Sequence, residues 1–266
     1  MTQAILLALP GTSSPDALLT LRRFEDRVAL RFPGALRFWA YTSSGVRKKL
    51  SLRGTPAASP EGALAQMRRD GVTRVAVKAL HLATGMEYTE LRAEIDGAGR
   101  GFARVALSRP LLEEEADLAR TLRCLLDAAA ATAAPDEAPL LVAHGSRSRE
   151  AQAAYATAAT LCKTMDRRAL FGVTLTEPGL AATVQGCKSD GVRAVQLLPF
   201  MVAAGLSART ELAGDGADSW KSVLESHGIR CTPRLTGLAD EDGIVEIWLD
   251  DIGRLIEGMA KEQDHA

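Results

Sequence analysis

The stretch APLLVAHGSRS, residues 138–148, is an apolar run that ends on a histidine, a glycine and a cluster of hydroxyl and arginine side chains. The stretch AILLALPGTSS, residues 4–14, aligns with it without a gap and places Pro10 opposite His144. In both stretches a run of apolar residues, long enough for one strand, leads into a glycine turn. The same strand-and-turn unit is therefore predicted near the start and near the middle of the chain.

A second pair of stretches repeats in the same order. DGVTRVAVKALHLATGME (70–87) aligns with DGVRAVQLLPFMVAAGLS (190–207) without a gap and pairs Gly85 with Gly205. Two matching segments at matching spacing indicate an internal duplication of one supersecondary unit. We expect two similar lobes that face each other across a cleft.

Strand and helix signals alternate through both halves. Strands are predicted at 4–9, 35–41, 72–80, 102–107, 139–143, 169–174, 193–200 and 229–234. Helices are predicted at 15–31, at 59–71 with Ser59 as cap and Pro60 as first residue, at 112–130 and at 242–261. This alternation predicts an α/β fold in which each lobe is a parallel sheet flanked by helices.

Four segments follow from this pattern. The N-terminal α/β lobe is expected over 1–127, a linker rich in alanine and proline over 128–138, and the C-terminal α/β lobe over 139–241. The last segment, 242–266, is expected to form a helix that packs back on the N-terminal lobe. Its apolar stripe consists of Ile244, Trp248, Ile252, Leu255 and Met259, and core packing explains it best.

Composition excludes several classes of protein. The 266 residues are 47% hydrophobic and 24% charged, which is typical of a globular chain. The 32 basic and 33 acidic residues balance, so neither nucleic acid nor membrane is expected as a partner, and homo-oligomerisation stays open. The N-terminus lacks a basic leader, and the four cysteines are widely spaced, so free thiols and a cytoplasmic location are expected.

The candidate chemistry follows the predicted strands. Open α/β sheets bind ligands beyond the carboxyl ends of their strands, where His81, His144, Glu177 and Ser207 are predicted to lie. The His144 imidazole is expected to face solvent because Gly145 turns the backbone away from the strand. A purely structural role for this histidine is the alternative.

Each of these residues has more than one interpretation. A helix N-terminus, Arg147 and Arg149 beside His144 could hold an anion. Glu177 could simply place a favourable charge at a helix start, and His81 could be hydrogen-bonded between the lobes. A neutral imidazole near a carboxylate, however, suits the loose binding of a first-row divalent metal and the acceptance of protons.

Several motifs, in one order and nearly from end to end, give the chain a family resemblance. It resembles the class II chelatases, and within them the sirohydrochlorin cobalt chelatases of anaerobic cobalamin synthesis. The motifs are ALPGTSSPDAL (8–18), YTSSGVRKKL (41–50), ALHLATGMEY (79–88), SRPLL (108–112), AHGSRSREAQAAY (143–155), LLPFMVAAG (197–205) and ELAGDGADSWKSVLESHGI (211–229).

The resemblance implies a tetrapyrrole held between the lobes and a metal site made of two histidines and a glutamate. The first histidine corresponds to His144 and the glutamate to Glu177. The second belongs to a Gly-Asp-His-Ala sequence, and here Ser207 stands in its place within Gly-Leu-Ser-Ala. His144 and Glu177 are thus the implied catalytic residues, and the implied contacts of the substrate are Gly11, Thr12, His81, Gly145, Ser146, Met201 and Gly205.

The resemblance also implies the reaction, which is the insertion of Co²⁺, or alternatively Fe²⁺ or Ni²⁺, into sirohydrochlorin. The metal is a substrate and no permanent cofactor is implied, in keeping with the absence of a P-loop motif. Arg47, Lys48, Arg147 and Arg149 could pair with the carboxylates of the ring or form a solvated face. Because Ser207 replaces a ligand, a non-catalytic tetrapyrrole carrier or sensor is the alternative, and a two-lobed small-molecule binding protein is a third.

Overall fold

The protein consists of two parallel four-stranded sheets with helices packed against them, in a computed structural model that describes residues 2–261. The strands of the first sheet are β1 (Thr2–Leu9), β2 (Leu36–Tyr41), β3 (Val72–Ala79) and β4 (Arg104–Leu107). Those of the second are β5 (Ala138–Ala143), β6 (Leu170–Val173), β7 (Ala194–Phe200) and β8 (Arg230–Pro233). The predicted fold class is confirmed.

Nine α-helices accompany the strands in the described part of the chain. Those of the first half are α1 (Pro15–Arg31), α2 (Ser44–Ser51), α3 (Pro60–Arg69), α4 (Met86–Ala98) and α5 (Glu115–Ala130). Those of the second half are α6 (Arg149–Met165), α7 (Leu180–Ser189), α8 (Trp220–Ser226) and α9 (Asp242–Lys261). The Ser59 hydroxyl caps α3 by accepting a hydrogen bond from the Gly62 backbone N–H, as predicted.

The two sheets have the same strand order. The first runs β2-β1-β3-β4 and the second β6-β5-β7-β8, and every neighbouring pair is parallel. Corresponding strands thus take corresponding places, as the internal alignments predict. Two sheets of one topology in one chain support duplication of a common unit.

The inner strands are buried on both faces, which explains their nearly continuous apolar runs. In β1, Ile5 and Leu7 join a central cluster, whereas Ala4 and Leu6 join a second cluster on the other face of the sheet. In β5, Leu141 joins the same central cluster. One apolar cluster therefore holds the two sheets together, and it fixes the edges of the sheets that carry the candidate residues.

The final helix α9 packs against β3, β4 and α5. The predicted stripe faces this way, with Ile244, Trp248, Ile252 and Met259 buried. The Trp248 ring meets the Phe24 ring edge-on at a centroid distance of 5.4 Å. Residues 262–266 of the predicted C-terminal segment lie outside the described residues.

The proposed segment boundaries stay predictions. The predicted linker, 128–138, begins in the last turn of α5 and ends at the first residue of β5. All four cysteines are free thiols, as expected. Among residues 2–261, none of the helices combines the length and the apolar character needed to cross a membrane.

Candidate active site

The carboxyl ends of the two sheets meet at two cross-lobe contacts, which we call the interlobe seam. A Cβ atom on Gly85 would lie 3.0 Å from the Ser146 Oγ, and one on Gly205 would lie 3.2 Å from the Thr12 Oγ1. Gly85 pairs with Gly205 and Thr12 with Ser146 in the internal alignments. The two contacts of the seam are therefore equivalent, since each lobe supplies the glycine of one and the hydroxyl of the other. A side chain at either glycine would crowd the seam.

Glycines at equivalent positions also turn the chain out of the central strands. Gly11 follows β1 with φ +103°, and Gly145 follows β5 with φ +87°. A Cβ atom on Gly11 would lie 2.5 Å from the Tyr41 ring, and one on Gly145 would lie 2.3 Å from Val173 Cγ1. Both positions need glycine, for the backbone conformation and for space. This turn is what lifts residue 144 off the end of its strand.

His144 is exposed at the carboxyl end of β5, as predicted. The Thr174 hydroxyl donates to the His144 carbonyl oxygen at 2.8 Å, and the same hydroxyl oxygen lies 3.3 Å from the His144 Nδ1. Since the threonine proton is used in the first contact, Nδ1 must donate in the second. In its neutral form the imidazole therefore carries its proton on Nδ1 and leaves the lone pair on Nε2, which is the form that binds metal or accepts a proton.

Glu177 lies in the loop after β6, with its carboxylate turned back on that loop. Its Oε2 accepts a hydrogen bond from the backbone N–H of Gly179 at 2.7 Å, at the start of α7. The contact matches the interpretation of Glu177 as a favourable charge at a helix start. Its assignment as a catalytic residue and metal ligand stays a prediction.

Glu87 is a carboxylate whose pKa is influenced by several of the other candidate groups. Burial, and then the neighbouring Glu90 carboxylate, raise the pKa of Glu87, whereas His144, a hydrogen bond from Thr42 and the Arg47 guanidinium act in the opposite direction. Glu87 therefore shares its surroundings with the exposed imidazole across the seam. No motif or spacing in the sequence had singled out Glu87 as a site residue.

The signal for Glu87 was present in the internal alignment. Glu87 is the residue that aligns with Ser207, just as His81 aligns with Met201. The structure shows the same turn before both positions, because the Gly85 N–H donates to the Ala83 carbonyl and the Gly205 N–H donates to the Ala203 carbonyl, each at 2.9 Å. The position of the expected ligand thus has a carboxylate in one lobe and a hydroxyl in the other.

Ser207 is half-buried and immediately precedes a short π-helical turn, Ala208–Leu212. Met201 is half-buried at the end of β7. His81, only 5% exposed, lies behind the edge of the first sheet rather than on its surface. Of the histidines that the sequence singles out, His144 alone faces solvent in the described part of the chain.

Thr42 and Thr174 are equivalent residues that each contact a histidine. The Thr42 N–H donates to the Leu9 carbonyl and the Thr174 N–H donates to the Ala143 carbonyl, both at 2.9 Å, at the ends of β1 and β5. Thr174 contacts His144 as described, and the Thr42 Oγ1 lies 3.2 Å from the His81 Nε2. Each lobe therefore places one threonine hydroxyl beside one imidazole.

The basic side chains that the sequence singles out differ in their contacts. The Arg47 Nη1 donates to the carbonyl oxygens of Tyr41 at 2.5 Å and Thr42 at 2.8 Å, so this guanidinium braces the end of β2. Lys48, Arg147 and Arg149 are exposed, and none of them forms an ion pair among the described residues. They are available to an anionic ligand.

A preformed metal cage is not found in the described residues. Between residues 2 and 261 no three histidine, cysteine, aspartate or glutamate side chains converge closely enough to hold a metal ion. The candidate groups of the described residues are instead the exposed His144 imidazole of the second lobe, the Glu87 carboxylate of the first lobe, whose pKa His144 influences, and the exposed cations Lys48, Arg147 and Arg149.

Comparisons with known proteins identify the family to which the chain is similar. A family model described as cobalt chelatase (CbiK) matches residues 3–257. The sirohydrochlorin cobaltochelatase CbiKC of Nitratidesulfovibrio vulgaris is 34% identical over 259 residues, covering 97% of this chain and 92% of that protein. The sirohydrochlorin cobaltochelatase of Salmonella typhimurium is 29% identical over 265 residues, covering 99% of both chains.

The fold also matches solved structures. The sirohydrochlorin chelatase SirB of Bacillus subtilis subspecies spizizenii, in complex with cobalt, superposes with a TM-score of 0.68 at 13% identity, over 97% of this chain and 96% of that chain. At this identity the likeness concerns the fold alone. The family match over residues 3–257 and the 34% identity to a relative along nearly the whole sequence show that the chain belongs to the CbiK cobalt chelatase family.

Proposed function

We propose that this protein inserts a divalent metal ion into sirohydrochlorin as a step of cobalamin or related tetrapyrrole synthesis. Co²⁺ is the foremost metal, and Fe²⁺ and Ni²⁺ are the next candidates. Two relatives that align over almost their full length are sirohydrochlorin cobaltochelatases. The single observation that carries the proposal is the exposed His144 at the end of β5, held through Nδ1 by Thr174 so that its Nε2 is left for a ligand.

In this proposal the metal ion arrives as a substrate and is held briefly by His144 and a carboxylate. Imidazole nitrogen and carboxylate oxygen both bind first-row divalent metals. Two protein ligands leave most coordination positions to water, so the ring nitrogens can replace the waters one after another. Such weak holding suits an enzyme that must release the metal into its product.

Insertion also displaces two N–H protons from the centre of the ring, and the same residues can accept them. Once the metal ion has passed to the ring nitrogens, the Nε2 lone pair of His144 is free to accept one proton. The raised pKa of Glu87, caused chiefly by burial, makes this carboxylate a better proton acceptor than one in water. Positioned bases of this kind typically accelerate a reaction by about 10²–10⁴-fold.

The surroundings suit a flat ring with carboxylates at its rim. Met86 and Leu206, at equivalent positions in the two lobes, are 72% and 61% exposed and follow the seam glycines directly. Exposed apolar side chains beside a polar site offer contact area to the ring. Arg147 and Arg149, exposed at the start of α6, can pair with the rim carboxylates. The seam residues Thr12, Ser146 and Gly205 stay among the predicted substrate contacts.

Metal insertion can be measured directly. Sirohydrochlorin is incubated anaerobically with the protein and with Co²⁺, Fe²⁺ or Ni²⁺, and the change in absorbance of the ring is followed against the spontaneous reaction. We expect catalysis for at least one metal and its loss in His144→Ala. His227→Ala, which removes an exposed histidine at the end of α8, is the matched control and should retain activity. Tight binding of the ring without any catalysed insertion would instead indicate a tetrapyrrole carrier or sensor.

The partner carboxylate can be identified in the same assay. Glu177 is assigned by the family resemblance, and Glu87 is supported by the electrostatic influence of His144 on its pKa. Glu87→Gln and Glu177→Gln keep the shape of each side chain and remove its charge. If Glu87 is the partner, Glu87→Gln lowers kcat strongly and Glu177→Gln changes it little. The opposite result would return the role to Glu177.

A further inference from the structure

One side of the interlobe seam is tied by a hydrogen bond that the proposed reaction does not use. The Ser148 hydroxyl of the second lobe donates to the backbone carbonyl oxygen of Thr84 in the first lobe at 2.8 Å. The same hydroxyl oxygen accepts from the Ala151 N–H at 3.1 Å and so caps α6. A carbonyl oxygen has no proton to offer, so the Ser148 hydroxyl must be the donor across the seam. It therefore joins the start of α6 to the loop before α4.

Close packing accompanies this hydrogen bond at the neighbouring residues. The Ser148 N–H donates to the Ser146 Oγ at 3.3 Å. A Cβ atom on Gly85, the residue after Thr84, would lie 3.0 Å from that Oγ and 3.6 Å from the Ser146 Cβ. The two segments therefore touch at consecutive residues of the first lobe, through a hydrogen bond at Thr84 and by packing at Gly85.

The equivalent contact on the other side of the seam is built differently. In the internal alignments Ser14 takes the place of Ser148, and Ala204 takes that of Thr84. The Ser14 side chain does not cap α1. Between residues 2 and 261, no hydrogen bond joins the Ser14 hydroxyl to the second lobe. The duplicated serine thus ties the two lobes together in one copy only.

The second lobe reaches the start of α1 through an exposed ion pair instead. Arg209 lies 2.6 Å from Asp16, and their side chains are 43% and 71% exposed. Ion pairs this open to water contribute little to holding two elements together. The hydrogen bond of Ser148 is therefore the better-defined link of the seam.

The two tied segments carry groups that the proposed function assigns to the ring. Arg147 and Arg149 flank Ser148 and are exposed. Met86, which is 72% exposed, lies two residues after Thr84. A flat, stiff ring can contact both segments only when they lie at one particular separation. Fixing that separation before the ligand arrives lowers the entropic cost of binding.

We propose that Ser148 is a positioning residue, whose hydroxyl holds Arg147 and Arg149 of the second lobe in register with Met86 of the first, so that one tetrapyrrole contacts both. The inference rests on the proposed function and deepens it. It gives Ser148 a role in the affinity for the ring and none in the affinity for the metal, because Thr174 holds the His144 imidazole.

Two variants without the hydroxyl separate positioning from capping. Ser148→Gly and Ser148→Ala both remove the hydrogen bond across the seam, but glycine is a tolerated N-cap and alanine a poor one. A hydrogen bond of this kind contributes a factor of about three to ten to an equilibrium. We expect both variants to weaken sirohydrochlorin binding by this factor, measured by absorbance titration without metal. The Tm should fall more in Ser148→Ala than in Ser148→Gly.

A conservative variant and a matched control complete the set. Ser148→Thr keeps the hydroxyl and should bind the ring within about two-fold of the wild type. Ser59→Gly removes the same kind of cap from α3, which packs on β2, β3 and α4, and should leave ring binding unchanged. Co²⁺ binding measured without the ring should be the same in every one of these variants.

Three results would overturn the inference. They are wild-type ring affinity in Ser148→Gly, equal losses in Ser148→Gly and Ser148→Thr, or a loss that follows the Tm and is much larger in Ser148→Ala than in Ser148→Gly. Because the titration needs no metal, absence of insertion by the wild-type protein would contradict the proposed function and leave this test intact. A wild-type protein that binds no ring would overturn both.

Discussion

Glu87 in the first lobe and Ser207 in the second occupy equivalent positions, two residues after the seam glycines Gly85 and Gly205. The two lobes share the same backbone turn before this position but carry different side chains at it. The first lobe offers a carboxylate at this position and the second a hydroxyl. Since His144 belongs to the second lobe, the acid and the imidazole of the candidate site come from opposite lobes.

A histidine at position 207 should strengthen metal binding. Hydroxyl oxygen is a poor ligand for a first-row metal, whereas imidazole is a good one. If Ser207 stands where the family has its second histidine, Ser207→His should tighten Co²⁺ binding by about ten-fold or more, measured by titration of the metal without the ring.

The matched control places the same imidazole elsewhere. Leu30→His adds a histidine at a fully solvated position near the end of α1 and should leave the affinity unchanged. Unchanged affinity in Ser207→His would show that position 207 does not reach the metal.

The threonine that supports His144 should matter for activity. Thr174→Val removes the acceptor of the Nδ1–H and frees the ring to rotate or change tautomer. We expect kcat to fall by about ten-fold, as is typical for outer partners of a ligating histidine, and Thr174→Ser to restore it. Thr176→Val removes a buried hydroxyl without a partner from the same loop and should have no effect on kcat. Equal rates in Thr174→Val and the wild type would contradict the assigned tautomer.

Much of the fold could be predicted because local signals and the duplication agree. Helix α1 begins at the Pro15 that follows a turn, and the predicted strands at 4–9 and 139–143 lie within one or two residues of β1 and β5. Apolar runs of this length between glycine turns leave few alternatives to a buried parallel strand. Helices α2 and α4 were not predicted, because α2 is only eight residues long and the apolar spacing of α4 is weak.

The site was harder to predict because its residues are assembled across the two lobes. Exposure of His144 follows from its own neighbours, since Gly145 turns the chain directly after the strand. The place of Glu87 depends on the contact of the loop before α4 with the second lobe, which no local pattern records. Only its alignment with Ser207 pointed to it. The contact of Glu177 with the Gly179 N–H is likewise visible only once the loop after β6 is folded.

Met86 and Leu206 should contribute to binding of the ring. A glutamate at either position removes apolar contact and places a negative charge beside an anionic ligand. We expect Met86→Glu and Leu206→Glu each to weaken sirohydrochlorin binding by about ten-fold, measured by absorbance titration without metal. Leu30→Glu makes the same change at a side chain that is 80% exposed away from the seam, and it should have no effect. Equal affinities in all three variants would exclude both side chains from the ring site.

Removing one partner of the buried ion pair between β3 and α9 should cost more stability than removing the other. The Lys78 ammonium is 4% exposed and pairs with Asp251, which is 18% exposed and also lies 3.5 Å from Arg254. Asp251→Asn strands a buried cation and should cost about 3 kcal/mol in the free energy of unfolding, measured with urea. Lys78→Met should cost less, because Asp251 keeps Arg254 and some water.

An exposed pair serves as the control for this comparison. Lys163 and Asp190 are both more than a third exposed, so Lys163→Met should change the free energy of unfolding by at most about 1 kcal/mol. A larger loss in Lys78→Met than in Asp251→Asn would contradict the burial argument.

The buried His81 should make the protein sensitive to acid. Burial lowers its pKa from 6.5 to about 4 in the folded protein, so between these values the unfolded chain binds the proton more readily. The stabilising effect of keeping the ring neutral is therefore complete above pH 6.5 and is lost as the pH falls toward 4. At pH 5 the linkage amounts to about 2 kcal/mol relative to neutral pH. The His81→Gln variant has no group at this position that titrates, so its stability lacks this pH dependence. The difference in the free energy of unfolding between the wild type and the variant should therefore shrink by about 2 kcal/mol between pH 7.5 and pH 5, measured with urea at each pH. A constant difference between the two proteins across this range would mean that the His81 ring takes up a proton in the folded state as easily as in the unfolded chain.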